Sequence, residues 1–125
     1  MPREALQTPG IRPAGPYSPA VIASGRLLFV ASQGPVDHAT GKRIEGTIQE
    51  ETLQALTNLR TIVESSGGRM ANAVKVTVFL RDMADFAGMN EIYGTFFPDP
   101  PPARTTVQSN LLYRVAIDLI VALDE

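Results

Sequence analysis

Apolar residues recur at helical spacing in two segments of this chain, and each segment is predicted to form an α-helix. Thr47 and Glu50 have the spacing of a capping box, and Gly67 is a typical helix end, so the first helix is expected to run to about residue 65. Its apolar stripe contains Leu53, Leu56, Leu59, Ile62 and Val63. The second helix is expected to follow the cap residue Asp82 and to reach about Phe96. Its apolar face contains Phe86, Met89, Tyr93 and Phe97.

Strand-like patterns occur in several other segments. Residues 73–80 alternate apolar and polar side chains, which predicts a strand with one buried face. Residues 26–32 and 114–123 are apolar at most positions, which predicts strands that are buried on both faces. Residues 20–23 form a further short strand, and the Ser24-Gly25 pair after it is typical of a β-hairpin. One further strand is predicted over residues 104–109, where β-branched residues follow an arginine.

The predicted order is strand, strand, helix, strand, helix, strand, strand. This order indicates an α/β fold of the α+β type, in which both helices cover one face of a mixed sheet. Because the strands are apolar toward the other face as well, self-association is expected to bury that face. The length of 125 residues suits one domain with its own core, so a single domain is expected over residues 1–125.

Residues 1–19 are rich in proline and glycine and are expected to form an extended arm with turns rather than a helix. Tyr17 lies in this arm, between Pro16 and Pro19. An aromatic residue in such a place can pack the arm onto the body of the protein or contribute to a site, and the local sequence leaves both interpretations open.

Composition excludes several kinds of chemistry. The chain has no cysteine, so disulfides, thiolate catalysis and zinc–thiolate sites are excluded. Its one histidine, His38, lies in a turn-like segment and is expected to be exposed, which excludes a multi-histidine metal site. The net charge of −2 provides no basic field for nucleic acid or membrane. No apolar signal region or bilayer-length apolar run is apparent, so a cytoplasmic protein without membrane contact is expected.

Arg104 stands where the proline-rich segment 98–102 meets the predicted strand. Prolines restrict φ and cannot donate backbone hydrogen bonds, so this segment is expected to be a stiff, extended lead-in. A guanidinium at such a strand end can offer two parallel donors to a carboxylate or phosphate. A solvated arginine or a structural ion pair is the alternative.

Asp118 interrupts the apolar last strand. A carboxylate is costly to bury without a cationic partner or several hydrogen-bond donors. The candidate partners are Arg104, on the preceding strand, and Arg114.

Four motifs are spread over nearly the whole chain. They are Gly15-Pro16-Tyr17, Ala31-Ser32-Gln33, the set Asp82, Phe86, Asn90, Tyr93 and Phe96-Phe97, and Pro102-Ala103-Arg104. Together with an acid in the last strand they resemble the reactive-intermediate deaminase family, also called Rid or YjgF. The chain departs from the family pattern at Ala31-Ser32, where the family has Ser-Gly, and at Asp118, where the family has glutamate.

The resemblance implies a chorismate-mutase-like fold with a mixed six-stranded sheet, and a barrel-like homotrimer with a site at each subunit interface. It implies hydrolysis of imines or enamines derived from amino acids to 2-keto acids and ammonia, without cofactor or metal. It also implies the residue roles. Arg104 would hold the substrate carboxylate, Asp118 would help to order water, and Tyr17 would lie at the active site. The implied substrate-binding residues are Ala31, Ser32, Asn90 and Thr106.

Two alternatives remain from the sequence. One is a non-catalytic or regulatory protein that binds a small carboxylate such as a 2-keto acid, with Asp118 as a structural residue. The other is cleavage of RNA, an activity attributed to some members of the family. The acidic balance of the chain and the lack of a basic-aromatic stripe argue against strong RNA binding.

Overall fold

The computed structural model describes residues 2–124. Within this range the strands are β1 (Arg3–Leu6), β2 (Ala20–Ala23), β3 (Leu27–Gln33), β4 (Val36–Asp37), β5 (Lys42–Arg43), β6 (Ala73–Leu80), β7 (Ala103–Gln108) and β8 (Val115–Ala122). The α-helices are α1 (Ile48–Ser65) and α2 (Phe86–Phe96), and short 3-10 turns precede β6 and α2. The strands predicted from the sequence are all present, with ends that differ by one residue at most.

The main sheet has four strands in the order β3-β8-β6-β7. β6 and β7 are parallel, whereas β8 is antiparallel to both of its neighbours. The predicted α+β fold with a mixed sheet is therefore confirmed. The number of strands differs from the six that the resemblance implies, because β1 and β2 pair with each other as a separate antiparallel ribbon within residues 2–124.

The hairpin predicted around Ser24-Gly25 is wrong. β2 pairs with β1, a strand inside the arm that was not predicted, and β3 pairs with β8 at the edge of the main sheet. This pairing brings Leu28 and Val30 of β3 against the hydrophobic core. The burial of these apolar side chains outweighs the local turn preference of a serine–glycine pair.

The predicted boundaries of both helices have clear physical causes. The Thr47 side chain accepts a hydrogen bond from the Glu50 amide at 3.1 Å, and the Glu50 carboxylate accepts one from the Thr47 amide at 2.9 Å, so the capping box is confirmed. Gly67 ends α1 with a φ of 84°, a conformation that favours glycine. Asp82 caps the 3-10 turn Met83–Asp85 rather than α2 itself, so α2 begins at Phe86.

The core lies between the helices and one face of the main sheet. Fully buried side chains from the sheet meet fully buried side chains from both helices there. They include Leu56, Leu59, Val76, Val78, Met89, Tyr93, Ile117 and Leu119. Neither helix in residues 2–124 combines the length and the apolar character that crossing a membrane requires.

The other face of the sheet is uncovered in the single chain. Phe29 of β3 is 70% exposed, and Leu27 and Val107 are also exposed. The prediction that β3 is buried on both faces is therefore wrong for the isolated chain, because no element of residues 2–124 covers Phe29. We refer below to the face that carries Leu27, Phe29 and Val107 as the open face.

Candidate active site

Arg104 is held at the beginning of the edge strand β7 by the segment before it. The Ser18 amide donates a hydrogen bond to the Pro102 carbonyl at 2.9 Å, and the Ser18 hydroxyl donates one to the Pro101 carbonyl. The proline-rich lead-in is thus tied to the N-terminal arm. Arg104 pairs in register with the buried Val76 and points toward the helices, where it is only 8% exposed.

Three aromatic rings and one amide surround the guanidinium. Its central carbon lies 4.8 Å from the ring centre of Tyr93, 5.0 Å from that of Tyr17 and 5.5 Å from that of Phe86. The Arg104 Nη1 atom donates a hydrogen bond to Asn90 Oδ1 at 2.7 Å. Such stacking and a charge-assisted hydrogen bond fix the plane of the guanidinium. We call Tyr17, Phe86, Asn90 and Tyr93 the arginine cage.

The cage leaves two donors of Arg104 free. Among residues 2–124, Arg104 Nε and Nη2 are buried and have no hydrogen-bond partner. The hydroxyl groups of Tyr93 and Thr106 are also buried without a partner. Buried polar groups are normally paired, so two unpaired donors on one buried cation indicate a place for a ligand with oxygen acceptors. A carboxylate matches the two free nitrogens.

Burial also sets the protonation of the site. Loss of water lowers the pKa of Arg104, while the neighbouring Tyr93 and Tyr17 hydroxyls act in the opposite direction. Arginine nevertheless stays charged in proteins, so the site keeps its cation. Burial raises the pKa of Tyr93, and the charge of Arg104 offsets only part of this increase. Tyr93 therefore stays a neutral hydroxyl that can donate a hydrogen bond.

The N-terminal arm covers the guanidinium through a turn at Gly15. The Tyr17 amide donates to the Gly15 carbonyl at 2.8 Å, and the Tyr17 hydroxyl accepts a hydrogen bond from the Ala14 amide at 3.1 Å. A Cβ atom on Gly15 would lie 3.0 Å from Arg104 Nη2. A side chain at this position would therefore require the guanidinium or the arm to shift by a few tenths of an ångström.

Two members of the cage were not predicted as site residues. Phe86 and Tyr93 were interpreted as part of the apolar face of α2. They are four residues before and three residues after Asn90, so all three side chains lie on one helix face. This spacing is visible in the sequence and would have connected the aromatic residues to Asn90.

Asp118 is on the opposite face of the sheet from Arg104. Asp118 pairs with Thr77 of β6, whereas Arg104 pairs with Val76, the neighbouring residue. Successive residues of a strand point to opposite faces, so Asp118 faces the open face while Arg104 faces the helices. The two side chains do not share a cavity within one chain.

The predicted ion-pair partners of Asp118 are wrong for the described part of the chain. Arg114 contacts Asp85 and Glu51 instead, at 3.6 and 3.7 Å. Arg104 bonds to Asn90. Asp118 is only half-buried because the open face is uncovered, so it needs no cation to compensate for lost water.

Ala31 and Ser32 also lie away from Arg104. They occupy an irregularity in the pairing of β3 with β8, between Val30 and Gln33, and both are exposed. β3 and β7 are the two edges of the sheet, separated by three strand spacings or about 14 Å. One chain therefore brings together Arg104, Tyr17, Asn90 and Thr106, but not Ala31, Ser32 or Asp118.

His38 lies in an exposed turn, as predicted, 3.2 Å from the side-chain oxygen of Gln33. Within residues 2–124 no group of three or more His, Asp or Glu side chains is arranged to hold a metal ion.

Comparison with known proteins agrees with the fold and with the motifs. The family model described as Endoribonuclease L-PSP matches residues 8–123. A RutC family protein of Pyrococcus horikoshii is 45% identical over 101 residues, which cover 81% of this chain and 79% of that protein. The 2-iminobutanoate/2-iminopropanoate deaminase of Dermatophagoides farinae is 37% identical over 127 residues, which cover 98% of each protein.

Among solved structures, the Rid family protein YyfB of Yersinia pestis has a TM-score of 0.86 and 26% identity, over 98% of this chain and 100% of that one. The structure therefore defines the class of this protein: an α+β domain with a mixed sheet, in which an arginine lies at the start of an edge strand. The chain belongs to the Rid family, also called YjgF or L-PSP. One relative in this family is named as an imine deaminase.

Proposed function

We propose that this protein hydrolyses imines and enamines derived from amino acids, releasing ammonia and a 2-keto acid. The observation that carries the proposal is the pair of buried, unpaired donors on Arg104 inside the arginine cage. The name of the Dermatophagoides farinae relative, which is similar over nearly the full length, supports the same reaction class.

In this proposal Arg104 binds the substrate carboxylate through Nε and Nη2. The guanidinium is already fixed by Asn90 and the aromatic rings, so little side-chain freedom is lost on binding. Because the imine carbon is bonded to the carboxylate carbon, binding of the carboxylate also fixes the position of the imine carbon in the site. Tyr17 and Thr106 border the ligand, and the neutral Tyr93 hydroxyl supplies a further donor.

The reaction adds one water molecule to the C=N carbon. The water oxygen forms the new C–O bond, its protons pass to nitrogen, the C–N bond breaks, and ammonia leaves as the carbonyl forms. A carboxylate that orders this water assists by accepting and returning a proton. We assign this role to Asp118, the one acid that the resemblance places at the site.

Because Arg104 and Asp118 face opposite sides of one sheet, the proposal assigns the two residues of one site to different copies of the chain. The exposed Phe29, Leu27 and Val107 of the open face support association of copies through that face. A homotrimer with sites between subunits, as the resemblance implies, satisfies this requirement. Ala31 and Ser32 would also reach the site from a neighbouring copy.

The first experiment measures ammonia release from 2-iminobutanoate generated in the cuvette by a threonine dehydratase. Wild-type protein should accelerate release over spontaneous hydrolysis, and Arg104→Ala should remove the acceleration. Arg26→Ala is the matched control, because it removes an exposed arginine directly before β3. No acceleration by the wild-type protein across several imines would refute the proposed reaction.

The second experiment tests the assignment to different copies. Arg104→Ala and Asp118→Ala proteins are unfolded together, refolded as a mixture and assayed. If one site takes Arg104 and Asp118 from different chains, some mixed assemblies contain an intact site and activity returns. If both residues came from one chain, the mixture would stay as inactive as its components.

The second candidate function is binding of a 2-keto acid without turnover. One observation favours it: Asp118 lies on the opposite face from Arg104 and is one methylene shorter than the glutamate of the family pattern. Binding that depends on Arg104, without any acceleration of imine hydrolysis, would select this function. RNA cleavage, which the description of the family model names, is checked with a labelled single-stranded RNA in the same preparations.

A further inference from the structure

A second arginine-lined cavity lies at the far end of the sheet from Arg104. Its volume is about 390 Å³, and its walls include Arg43, Arg81 and Arg114. Arg104 pairs with Val76 of β6, and Arg81 comes five residues later in the chain, directly after this strand. Five strand residues span about 16 Å, so this cavity is separate from the arginine cage.

One of the three arginines has a structural role. Arg114 donates from Nε to the Gly46 carbonyl at 2.9 Å and contacts the carboxylates of Glu51 and Asp85. Glu51 in turn is buried and accepts hydrogen bonds from the Arg114 and Gly46 amides. Arg114 therefore already has two carboxylate neighbours, and the proposal below rests on the other two arginines.

The other two arginines converge on one acceptor. The Nη1 atoms of Arg43 and Arg81 lie 3.1 and 3.4 Å from the Leu112 carbonyl oxygen. Because both guanidinium groups contact the same carbonyl oxygen, their positive charges lie near each other, and a nearby anion would offset their repulsion. Arg43 forms an ion pair with Glu45, whereas Arg81 has none among residues 2–124.

The position of Glu45 indicates that this cavity can accept a carboxylate. Its hydrogen bond with Arg43 and the charge of Arg43 hold the pKa of Glu45 below its usual range, and the charge of Arg81 acts in the same direction. The Glu45 side chain is nevertheless 73% exposed. An exposed side chain of this kind turns away into water at little cost, so a free carboxylate can replace it.

The surroundings of Arg81 leave room for the rest of a ligand. Arg81 also lines two adjoining depressions of about 300 and 270 Å³, whose walls carry polar groups of Gln108 and Asn110. Leu112 and Tyr113 add apolar surface to the main cavity. Cavities of several hundred cubic ångströms with a few convergent polar groups are the usual size for small-molecule sites.

We propose that this cavity is a second binding site, for a small organic carboxylate whose anionic group replaces the Glu45 side chain at Arg43 and also pairs with Arg81. The site does not depend on the reaction proposed for the arginine cage, since it uses none of the same residues. A molecule bound there would contact the end of β6 and the loop before β8.

The test titrates pyruvate into isotope-labelled Arg104→Ala protein, which lacks the first carboxylate site, and follows backbone amide shifts of Gly46, Arg81 and Leu112 by NMR. Saturable shifts at these residues are expected. A second substitution, Arg81→Ala, should weaken binding about tenfold, because one charge-assisted hydrogen bond is lost. Glu45→Gln should tighten binding about threefold or more, because the competing carboxylate becomes neutral.

Arg26→Ala, in the same background, removes an exposed arginine elsewhere and should leave the shifts unchanged. Shifts that do not saturate, or an Arg81→Ala protein that binds like Arg26→Ala, would overturn the proposal. Weaker binding by Glu45→Gln would also contradict it, since Glu45 would then support the site rather than compete. Tighter binding of inorganic phosphate than of pyruvate would reject the carboxylate class.

Discussion

Replacement of Arg104 tests the arginine cage most directly. Arg104→Ala removes the two free donors, Nε and Nη2, together with the charge. Arg104→Lys keeps the charge but replaces the planar fork with a single ammonium group, which cannot offer two parallel donors. The two variants therefore separate the contribution of charge from that of geometry.

The size of the effect follows from the two donors. A hydrogen bond to a charged group contributes about 1.5–3 kcal/mol, so two of them contribute about 3–6 kcal/mol. Since about 1.4 kcal/mol corresponds to a factor of ten, Arg104→Ala should weaken carboxylate binding about 10²- to 10⁴-fold. Arg104→Lys should weaken it about tenfold or more, because at least one donor is misplaced.

Stability should change little in comparison. Arg104→Ala loses the 2.7 Å hydrogen bond to Asn90 and the contacts with three rings, but it also relieves the cost of keeping a cation out of water. These effects oppose each other, so the free energy of unfolding should change by less than about 2 kcal/mol. Urea unfolding followed by circular dichroism measures this change.

The binding assay is isothermal titration calorimetry with pyruvate, performed in an Arg81→Ala background so that binding at the second cavity is weakened and contributes less heat. Arg26→Ala, in the same background, is the control for the loss of one positive charge. Binding by Arg104→Ala within about twofold of the control would refute the assignment of Arg104 as the carboxylate ligand. A large loss of stability would instead show that Arg104 is mainly structural.

Three further predictions concern the supports of the site and fold. Gly15→Ala should weaken pyruvate binding in the same calorimetric assay, because its Cβ would lie 3.0 Å from Arg104 Nη2, whereas Gly94→Ala, whose Cβ meets nothing closer than 3.9 Å, should not. Thr47→Ala should lower the free energy of urea unfolding by about 1 kcal/mol through loss of the N-cap of α1, and an unchanged value would contradict the capping box. Tyr93→Phe should reduce the loss of stability above about pH 10, where free tyrosine ionises. The raised pKa of Tyr93 favours the neutral hydroxyl in the folded state, so stability present below that pH is lost as pH rises, and identical pH profiles would contradict this.

Local sequence patterns predicted most of the secondary structure. The capping box of Thr47 and Glu50, the glycine end of α1 and the alternation in residues 73–80 depend on neighbours within a few positions. These predictions were correct because they depend on interactions between residues that are close in the sequence. The Ser24-Gly25 hairpin failed because the partner of a strand is chosen by long-range burial, and β8 offers β3 more apolar contact than β2 does.

The candidate site, too, could be predicted only in part from the sequence. The resemblance led to Arg104, Tyr17, Asn90 and Thr106, and the structure places Tyr17 and Asn90 against the Arg104 guanidinium and Thr106 on the same face of β7. The aromatic residues Phe86 and Tyr93 were missed as site residues, although their spacing to Asn90 places them on the same helix face. The cavity beside Arg81 had no signal in the sequence, since its walls come from four separate segments.

The sequence by itself determined the elements of this protein, its arginine at a strand entrance and its membership of a family. Only the tertiary structure decided which residues share a space. Arg104 and Asp118 are on different strands, and sequence patterns do not state the register between strands. A register in which Arg104 faces Val76 and Asp118 faces Thr77 puts the two side chains on opposite faces of the sheet. A shift of one residue would have put them on the same face, because side chains alternate along a strand.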